Sequence, residues 1–225
     1  ADVLKEIDNL LSNGHRRILL SGEDVGAYGR EIGTSLASLL KKVLDLDGLI
    51  EVRVESINPH WLTLLLTEAG SLLENSRLSS YWYVPVQAAS NSLLKKMRRP
   101  YKIEEFLGSI DNLRTRIPNL YLVSDVIVGH PGETSLDVLS VPKLIQQVQI
   151  NYLEIMRFDD HEGIPASTLP GMIQEEEKTR RAAYVLLLFV RYLLEGSIKT
   201  RLSSLGLLPI NTNIRTPELF QTFID

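Results

Sequence analysis

The chain has 225 residues, of which 44% are hydrophobic and 23% charged, and its formal net charge is −4. These are the values of a globular protein that is long enough to bury a core, and the mild negative charge gives no support for a nucleic-acid binder. The chain contains no cysteine, which excludes disulfides, thiolate metal ligands and a cysteine nucleophile among its own residues.

Predicted helices and strands alternate along almost the whole chain. In order, the periodicity predicts helix 2–13, strand 16–21, helix 33–44, strand 49–56, helix 60–74, strand 81–86, helices 90–98 and 103–115, strand 119–128, helix 134–148, strand 150–157 and a long helix over about 174–195. This alternation predicts βαβ units around a parallel sheet. We expect one domain over 1–195 and a tail of uncertain structure over 196–225.

The most apolar stretch is AAYVLLLFVRYLL, residues 182–194. It is shorter than the roughly 20 residues that a bilayer requires, and it contains Arg191. The N-terminal helix also lacks the basic start and apolar centre of a signal peptide. We therefore expect a cytoplasmic protein without a membrane partner, in which this helix is buried or covered by a partner.

Five polar or Gly/Pro-rich segments follow the predicted strands. They are SGEDVGAYG (21–29), SINPHW (56–61), VQAASN (86–91), VGHPGET (128–134) and FDDHEGIPAS (158–167). The turns at the opposite edge, LDLDG and RIPN, are ordinary connectors. Doubly wound sheets and barrels both bind ligands at the carboxyl ends of their strands, so this asymmetry predicts a ligand site there.

Single segments of this kind also have structural explanations. Thr134 and Asp137 have the spacing of a capping box, which accounts for a tight turn before a helix. Glu23 and Asp24 either receive a ligand ammonium group or form a solvated acidic turn. Arg157 lies among apolar neighbours, so we expect it to be buried and paired with a nearby aspartate or a ligand carboxylate. The histidines have no metal-ligand spacing, and we predict no metal site.

The segment KKMRRPYK, residues 95–102, places four cations at the end of a predicted helix. Their interaction with the helix dipole is one explanation, since Pro100 stops the helix there. The other explanation is a contact with phosphate or RNA. The candidate RNA contacts are Lys95, Lys96, Arg98, Arg99 and Tyr101.

Taken together and in order, the five segments resemble the radical S-adenosylmethionine methylthiotransferase family. The stretches LLSGEDVGAYGREIGTSL, VRVESINPHWL, VPVQAASNSLLKKMRRPYKIEEF, SDVIVGHPGET and YLEIMRFDDHEGIPASTLPG carry the resemblance over roughly residues 1–180. It implies an α/β fold, a partial and open (β/α)6 barrel of the TIM-like radical SAM type, here without its first strand and cluster loop. It also implies an S-adenosylmethionine molecule lying across the strand ends.

The resemblance assigns cofactor-binding residues to the segments. It implies an amino-group site around Ser21, Glu23 and Asp24, and a ribose site around Gln87, Ser90 and Asn91. It places the adenine and carboxylate near Asp125, Val128, Arg157 and Phe158. It implies no catalytic side chain and no metal ligand in this chain.

The chain departs from the family pattern in several places. The family holds a [4Fe-4S] cluster with a CxxxCxxC loop, for which this chain has no ligands, so we expect it not to cleave S-adenosylmethionine reductively by itself. His130 stands where the family often has Phe, and His161 replaces an Arg. An open barrel without its first strand exposes an apolar edge, from which we predict possible self-association.

The function implied by the resemblance is methylthiolation of a tRNA adenosine. GEDVGAYGREIGTSL favours the branch that acts on threonylcarbamoyl-adenosine. One alternative acceptor is an aspartate of a ribosomal protein. Another alternative is a cluster-less, noncatalytic module that binds S-adenosylmethionine or a protein partner.

Overall fold

The computed structural model describes residues 2–160 and 165–204. His161 and most of the tail predicted over 196–225 lie outside the described residues. The helices are α1 (Asp2–Ser12), α2 (Leu36–Leu44), α3 (Pro59–Ala69), α4 (Asn91–Lys96), α5 (Ile103–Arg116), α6 (Ser135–Val148) and α7 (Glu175–Ser204). The strands are β1 (Arg17–Leu20), β2 (Glu51–Val54), β3 (Tyr81–Tyr83), β4 (Tyr121–Val128) and β5 (Tyr152–Arg157).

All five described strands are parallel, as the alternating pattern predicts. β1 pairs with β2, and β3, β4 and β5 form a second ladder in that order. The two ladders are joined by a parallel bridge between Val52 and Leu78 and by a hydrogen bond from Ile57 N to Tyr83 O of 3.0 Å. Within the described ranges β1 and β5 are not paired with each other, so the sheet is open rather than a closed barrel.

The two faces of the sheet differ in chemistry because side chains alternate along a strand. Val52, Leu122 and Val126 lie on the face that the helices cover, and each is at most 1% exposed. The opposite face carries polar and aromatic side chains, among them Tyr83 and Asp125. A parallel sheet with one polar face leaves that face available for a ligand or a partner.

Side-chain caps begin the helices that follow the strand ends. Thr134 and Asp137 form the predicted capping box at the start of α6, and Ser90 accepts a hydrogen bond from Leu93 N at the start of α4. Asn58 caps α3, in which Pro59 takes a first-turn position where no N–H partner is needed. These caps fix where each loop after a strand ends.

The chain divides into two compact units, residues 1–189 and 190–225. The described part of the second unit is helical up to Ser204. The expectation is that the apolar stretch 182–194 is buried or covered by a partner; burial within the chain is wrong for much of its length, and a covering partner stays a prediction. Leu186, Leu187 and Leu194 are each more than half exposed, whereas Val185 and Phe189 are buried. None of the described helices is long and apolar enough to cross a membrane.

Candidate functional site

A chain of hydrogen bonds links the segment after β3 to the inner face of β4. Gln87 Nε2 donates to Asp125 Oδ1 over 2.8 Å, and Arg99 Nη2 donates to Gln87 Oε1 over 2.8 Å. The backbone of Gln87 has a φ of 64° and is held on both sides by β4, through Asp125 O and Ile127 N. A non-glycine residue in the left-handed region at a strand end is typical of a functional site. The structure therefore joins three predicted site residues into one polar group.

Asp125 extends this group towards β5. Its side chain is almost fully buried, and burial raises the pKa of its carboxyl above the usual value, while Tyr83, Gln87 and Arg99 act in the opposite direction. The Tyr83 hydroxyl lies 3.2 Å from Asp125 Oδ2 and 3.3 Å from Glu154 Oε2. Burial and the two neighbouring carboxylates raise the pKa of Tyr83 well above its ordinary range, so the phenol keeps its proton.

Ser90 and Asn91 make structural contacts in the segment after β3. Ser90 Oγ is hydrogen-bonded to Asp137, which ties the start of α4 to the start of α6. Asn91 Nδ2 donates to the Glu104 carboxylate, and its Oδ1 accepts from Ile103 N over 2.8 Å. The predicted ribose contacts of these two side chains stay a prediction.

The corner after β1 contains the predicted amino-group site. Ser21 and Glu23 are exposed, and Glu23 O accepts a hydrogen bond from Ser56 Oγ over 3.2 Å. Burial raises the pKa of Asp24, while N–H groups of Asn58, Trp61 and Gly26 act against that shift. Asp24 Oδ1 is nonetheless buried without a hydrogen-bond partner. An unpaired acceptor at this corner is chemically suited to an ammonium group.

Helix α7 packs against the loops after β4 and β5. Arg181 Nη1 donates to Glu133 Oε2 over 2.7 Å, and the same oxygen accepts from Gly129 N over 2.8 Å. Lys178 Nζ donates to Phe158 O over 2.9 Å. Burial raises the pKa of Glu133, and the hydrogen bonds from Arg181 and Gly129 oppose that shift. These contacts hold the loops after β4 and β5 against α7. Val128 and Phe158, which are predicted to contact the adenine and the carboxylate of the ligand, lie where these loops begin.

His130 behaves as an aromatic packing residue in the loop after β4. Its ring is 4% exposed and lies edge-on to Phe158, with the ring centroids 5.3 Å apart. Burial lowers the pKa of His130, and Nδ1 is 3.0 Å from the carbonyl oxygen of Pro131. His130 thus makes a ring contact with Phe158 that a Phe side chain at this position could also make.

The expectation that Arg157 is buried and paired with a nearby aspartate is wrong in its first part. Its side chain is 53% exposed, because it extends from the last position of β5 towards α7. Its Nη1 donates to Thr179 Oγ1 over 2.9 Å and lies 3.9 Å from Glu175 Oε2. A contact between Arg157 and a ligand carboxylate stays a prediction.

The basic segment splits into an exposed and a buried part. Lys95 and Arg98 are exposed, and Lys96 Nζ donates to Gly132 O. Tyr101 is 4% exposed, and its hydroxyl donates to Val86 O over 3.0 Å. The prediction that Tyr101 contacts RNA is therefore wrong, because its ring packs in the core. Arg99 also turns inward, to Gln87.

The sequence did not predict four residues that make hydrogen bonds around the candidate site: Tyr83, Glu154, Lys178 and Arg181. Tyr83 and Glu154 lie on strands, where an alternating polar residue indicates only the solvated face. Lys178 and Arg181 lie three residues apart at the start of a charged helix, a pattern that is typical of an exposed surface. Only the packing of α7 against the β4 loop gives these side chains a role.

The chain matches the Radical SAM superfamily over residues 1–145. It belongs to that superfamily. The chain is 34% identical over 177 residues to the "Threonylcarbamoyladenosine tRNA methylthiotransferase MtaB" of Thermotoga maritima, which is 79% of this chain and 40% of that protein. It is 31% identical over 181 residues to the "tRNA-2-methylthio-N(6)-dimethylallyladenosine synthase" of Pelotomaculum thermopropionicum, 80% of this chain and 40% of that protein.

This radical SAM chain thus spans about two fifths of the length of these curated relatives. Among solved structures, the chain is similar to Escherichia coli coproporphyrinogen III oxidase (HemN), with a TM-score of 0.48 and 12% identity. The match covers 82% of this chain and 56% of that protein. The resemblance to the methylthiotransferases is confirmed by the named relatives. The prediction of a partial, open radical SAM fold is confirmed by the superfamily match and by the open parallel sheet.

The residues of this radical SAM chain do not fit an iron–sulfur cluster. Such clusters are held by thiolates, and the 225 residues include no cysteine. The described residues also form no group of three or more His, Asp or Glu side chains that could hold a metal ion. No step of a reaction is therefore assigned to a cluster bound by these residues.

Proposed function

We propose that this radical SAM chain is the S-adenosylmethionine-binding core of a tRNA methylthiotransferase. The acceptor in this proposal is the threonylcarbamoyl-adenosine of a tRNA. Two observations support that acceptor: the stretch GEDVGAYGREIGTSL and the activity after which the Thermotoga maritima relative is named. The relatives that are named as dimethylallyladenosine enzymes support a tRNA adenosine in general.

The observation that carries the proposal is the polar group formed by Gln87, Arg99 and Asp125. Gln87 uses its amide oxygen and one amide N–H on its two neighbours, which fixes the Arg99 guanidinium at the carboxyl edge of the sheet. Arg99 Nε is buried and has no hydrogen-bond partner. A guanidinium that a neighbouring side chain fixes in place, and that does not use all its N–H donors, is suited to binding a ligand carboxylate or hydroxyl oxygen.

The remaining corners supply complementary chemistry for the same ligand. Asp24 has a buried oxygen without a hydrogen-bond partner for the ammonium group, and the partly exposed Phe158 ring, beside the backbone of Val128, offers apolar contact for the adenine. Bound S-adenosylmethionine supplies a sulfonium-linked methyl group. The chain's own residues bind and orient that ligand. We further propose that the chain alone does not cleave it reductively, because the thiolates for a cluster must come from other residues.

A second candidate function is a noncatalytic module that binds S-adenosylmethionine. The absence of cysteine from all 225 residues favours it. Mass spectrometry of tRNA nucleosides from cells with and without the protein separates the candidates. If cells without the protein lack a methylthio group on a tRNA adenosine, the tRNA methylthiotransferase is supported. If the group is missing from a ribosomal peptide instead, the acceptor is a ribosomal protein. If neither changes, the noncatalytic module is favoured.

Calorimetric titration with S-adenosylmethionine tests the ligand. Arg99→Met keeps an unbranched apolar stem but removes the guanidinium and its donors, and Arg98→Met, at the exposed neighbouring position, is the matched control. A hydrogen bond to a charged group contributes roughly 1.5–3 kcal/mol, so Arg99→Met should weaken binding by about 10- to 150-fold. Arg98→Met should bind as the wild type does. Equal affinities for both variants, or no binding by the wild type, would contradict the proposal.

A further inference from the structure

Lys178 is the most deeply buried of the charged side chains described on α7. Its side chain is 1% exposed. The aliphatic stem lies against Gly129, where an added Cβ would come within 2.4 Å of Lys178 Cγ. Lysine is almost never fully buried unless its charge is paired, so this placement requires an explanation.

Filling space does not explain the ammonium group. An apolar side chain of the same length would cover Gly129 without the free energy needed to desolvate a charge. What the ammonium adds is a hydrogen bond to Phe158 O of 2.9 Å and a bond to Glu175 Oε1 of 2.6 Å. Nζ also lies 5.4 Å from the centroid of the Phe158 ring. The charged end of Lys178 is therefore directed at Phe158.

The stem and the ammonium of Lys178 contact two different loops. The stem packs on the loop after β4, at Gly129, whose φ of 82° and lack of a Cβ allow the close approach. The ammonium holds the loop after β5, at Phe158. Between them, Phe158 N donates to Val128 O over 2.8 Å. The backbone thus holds the two strand ends side by side, and Lys178 connects the two loops that follow them.

We propose that Lys178 is a positioning residue that orders the loops after β4 and β5, and with them Phe158, for contact with the adenine of the bound ligand. This inference rests on the proposed function for the identity of the ligand. The positioning itself does not, because it concerns the order of the loops 129–133 and 158–160. Lys178 acts through the Phe158 backbone and does not contact the ligand.

The test uses Lys178→Met in the complete chain, with Arg180→Met as the matched control. Met keeps the stem over Gly129 and removes the ammonium, and the carboxylate that loses its partner, Glu175, is 67% exposed and is solvated by water. Arg180 is on the same helix, and its side chain is 72% exposed. The first measurement is amide hydrogen exchange. The second is affinity for S-adenosylmethionine and for adenosine by calorimetry.

We expect exchange at 158–160 and 129–133 to accelerate by about tenfold or more in Lys178→Met, while exchange in β1 and the urea midpoint stay at the wild-type values. Affinity for both ligands should fall by a similar factor, since both contain adenine. Arg180→Met should change none of these quantities. A merely structural lysine would instead lower the urea midpoint and accelerate exchange throughout the chain.

The chain has no cysteine, so Lys178→Cys introduces a single thiol that can be aminoethylated in the unfolded state to restore an ammonium at the same distance. Refolded, this variant should recover the slow exchange at Phe158, and failure to recover it would overturn the inference. Unchanged loop exchange in Lys178→Met would also overturn it. If the wild type binds neither ligand, the proposed function fails, and the exchange results alone still decide whether Lys178 positions the loops.

Discussion

Replacing Glu133 by Ala should strongly destabilise the first unit of the chain, residues 1–189. The side chain of Glu133 is 2% exposed, and its Oε2 accepts from both Gly129 N and Arg181 Nη1. Arg181 is 13% exposed and has a second carboxylate partner, Glu177, whose side chain is 28% exposed. The two glutamates therefore share one arginine, and only Glu133 is buried.

The magnitude follows from what the substitution leaves behind. Gly129 N–H loses its hydrogen bond in a buried place, which costs about 1–3 kcal/mol. Arg181 loses a buried partner, for which breaking a pair costs roughly 3–5 kcal/mol, but its bond to Glu177 offsets part of that loss. We expect a total of about 4 kcal/mol for Glu133→Ala, a large share of the ~5–15 kcal/mol by which domains are stable.

Urea denaturation at pH 7, followed by circular dichroism, measures this free energy of unfolding, and the slope against urea should stay constant. Glu177→Ala is the matched control, because it removes the more exposed partner of the same arginine and should cost about 1 kcal/mol or less. Glu133→Gln keeps an oxygen for both donors and should fall between the two. The reasoning is refuted if Glu133→Ala costs no more than Glu177→Ala.

Two further predictions concern aromatic positions. Burial lowers the pKa of His130 below 6.5, so its contribution to the free energy of unfolding is complete above about pH 6.5 and is lost as pH falls through the folded-state pKa. His130→Phe should therefore lose less stability between pH 7 and pH 5 than the wild type in urea titrations, and an unchanged pH dependence would contradict this assignment. Tyr101→Phe should cost about 0.5–1.5 kcal/mol, because it removes one of the two hydrogen bonds that Val86 O accepts and leaves the one from Ala88 N. It should leave RNA affinity in a filter-binding assay unchanged, whereas lowered RNA affinity would show that the ring is accessible.

The sequence by itself determined the order and type of the elements, and it predicted a ligand site at the carboxyl edge of the sheet. Apolar periodicity identified each helix and strand, because period 3.6 and period 2 are local properties of the chain. The capping box of Thr134 and Asp137 was predicted correctly for the same reason, since its partners lie three residues apart. The ordered loop segments also sufficed to recognise the superfamily.

Only the tertiary structure decided which side chains face the site. Arg99 and Tyr101 lie in one basic segment, yet both turn inward, Arg99 to Gln87 and Tyr101 to the core, while Arg98, directly before Arg99, remains exposed. Lys178 is buried because Gly129, 49 positions earlier in the chain, leaves room for its stem. The physical reason is that burial and pairing depend on contacts between elements that are distant in sequence, and local patterns contain no information on those distances.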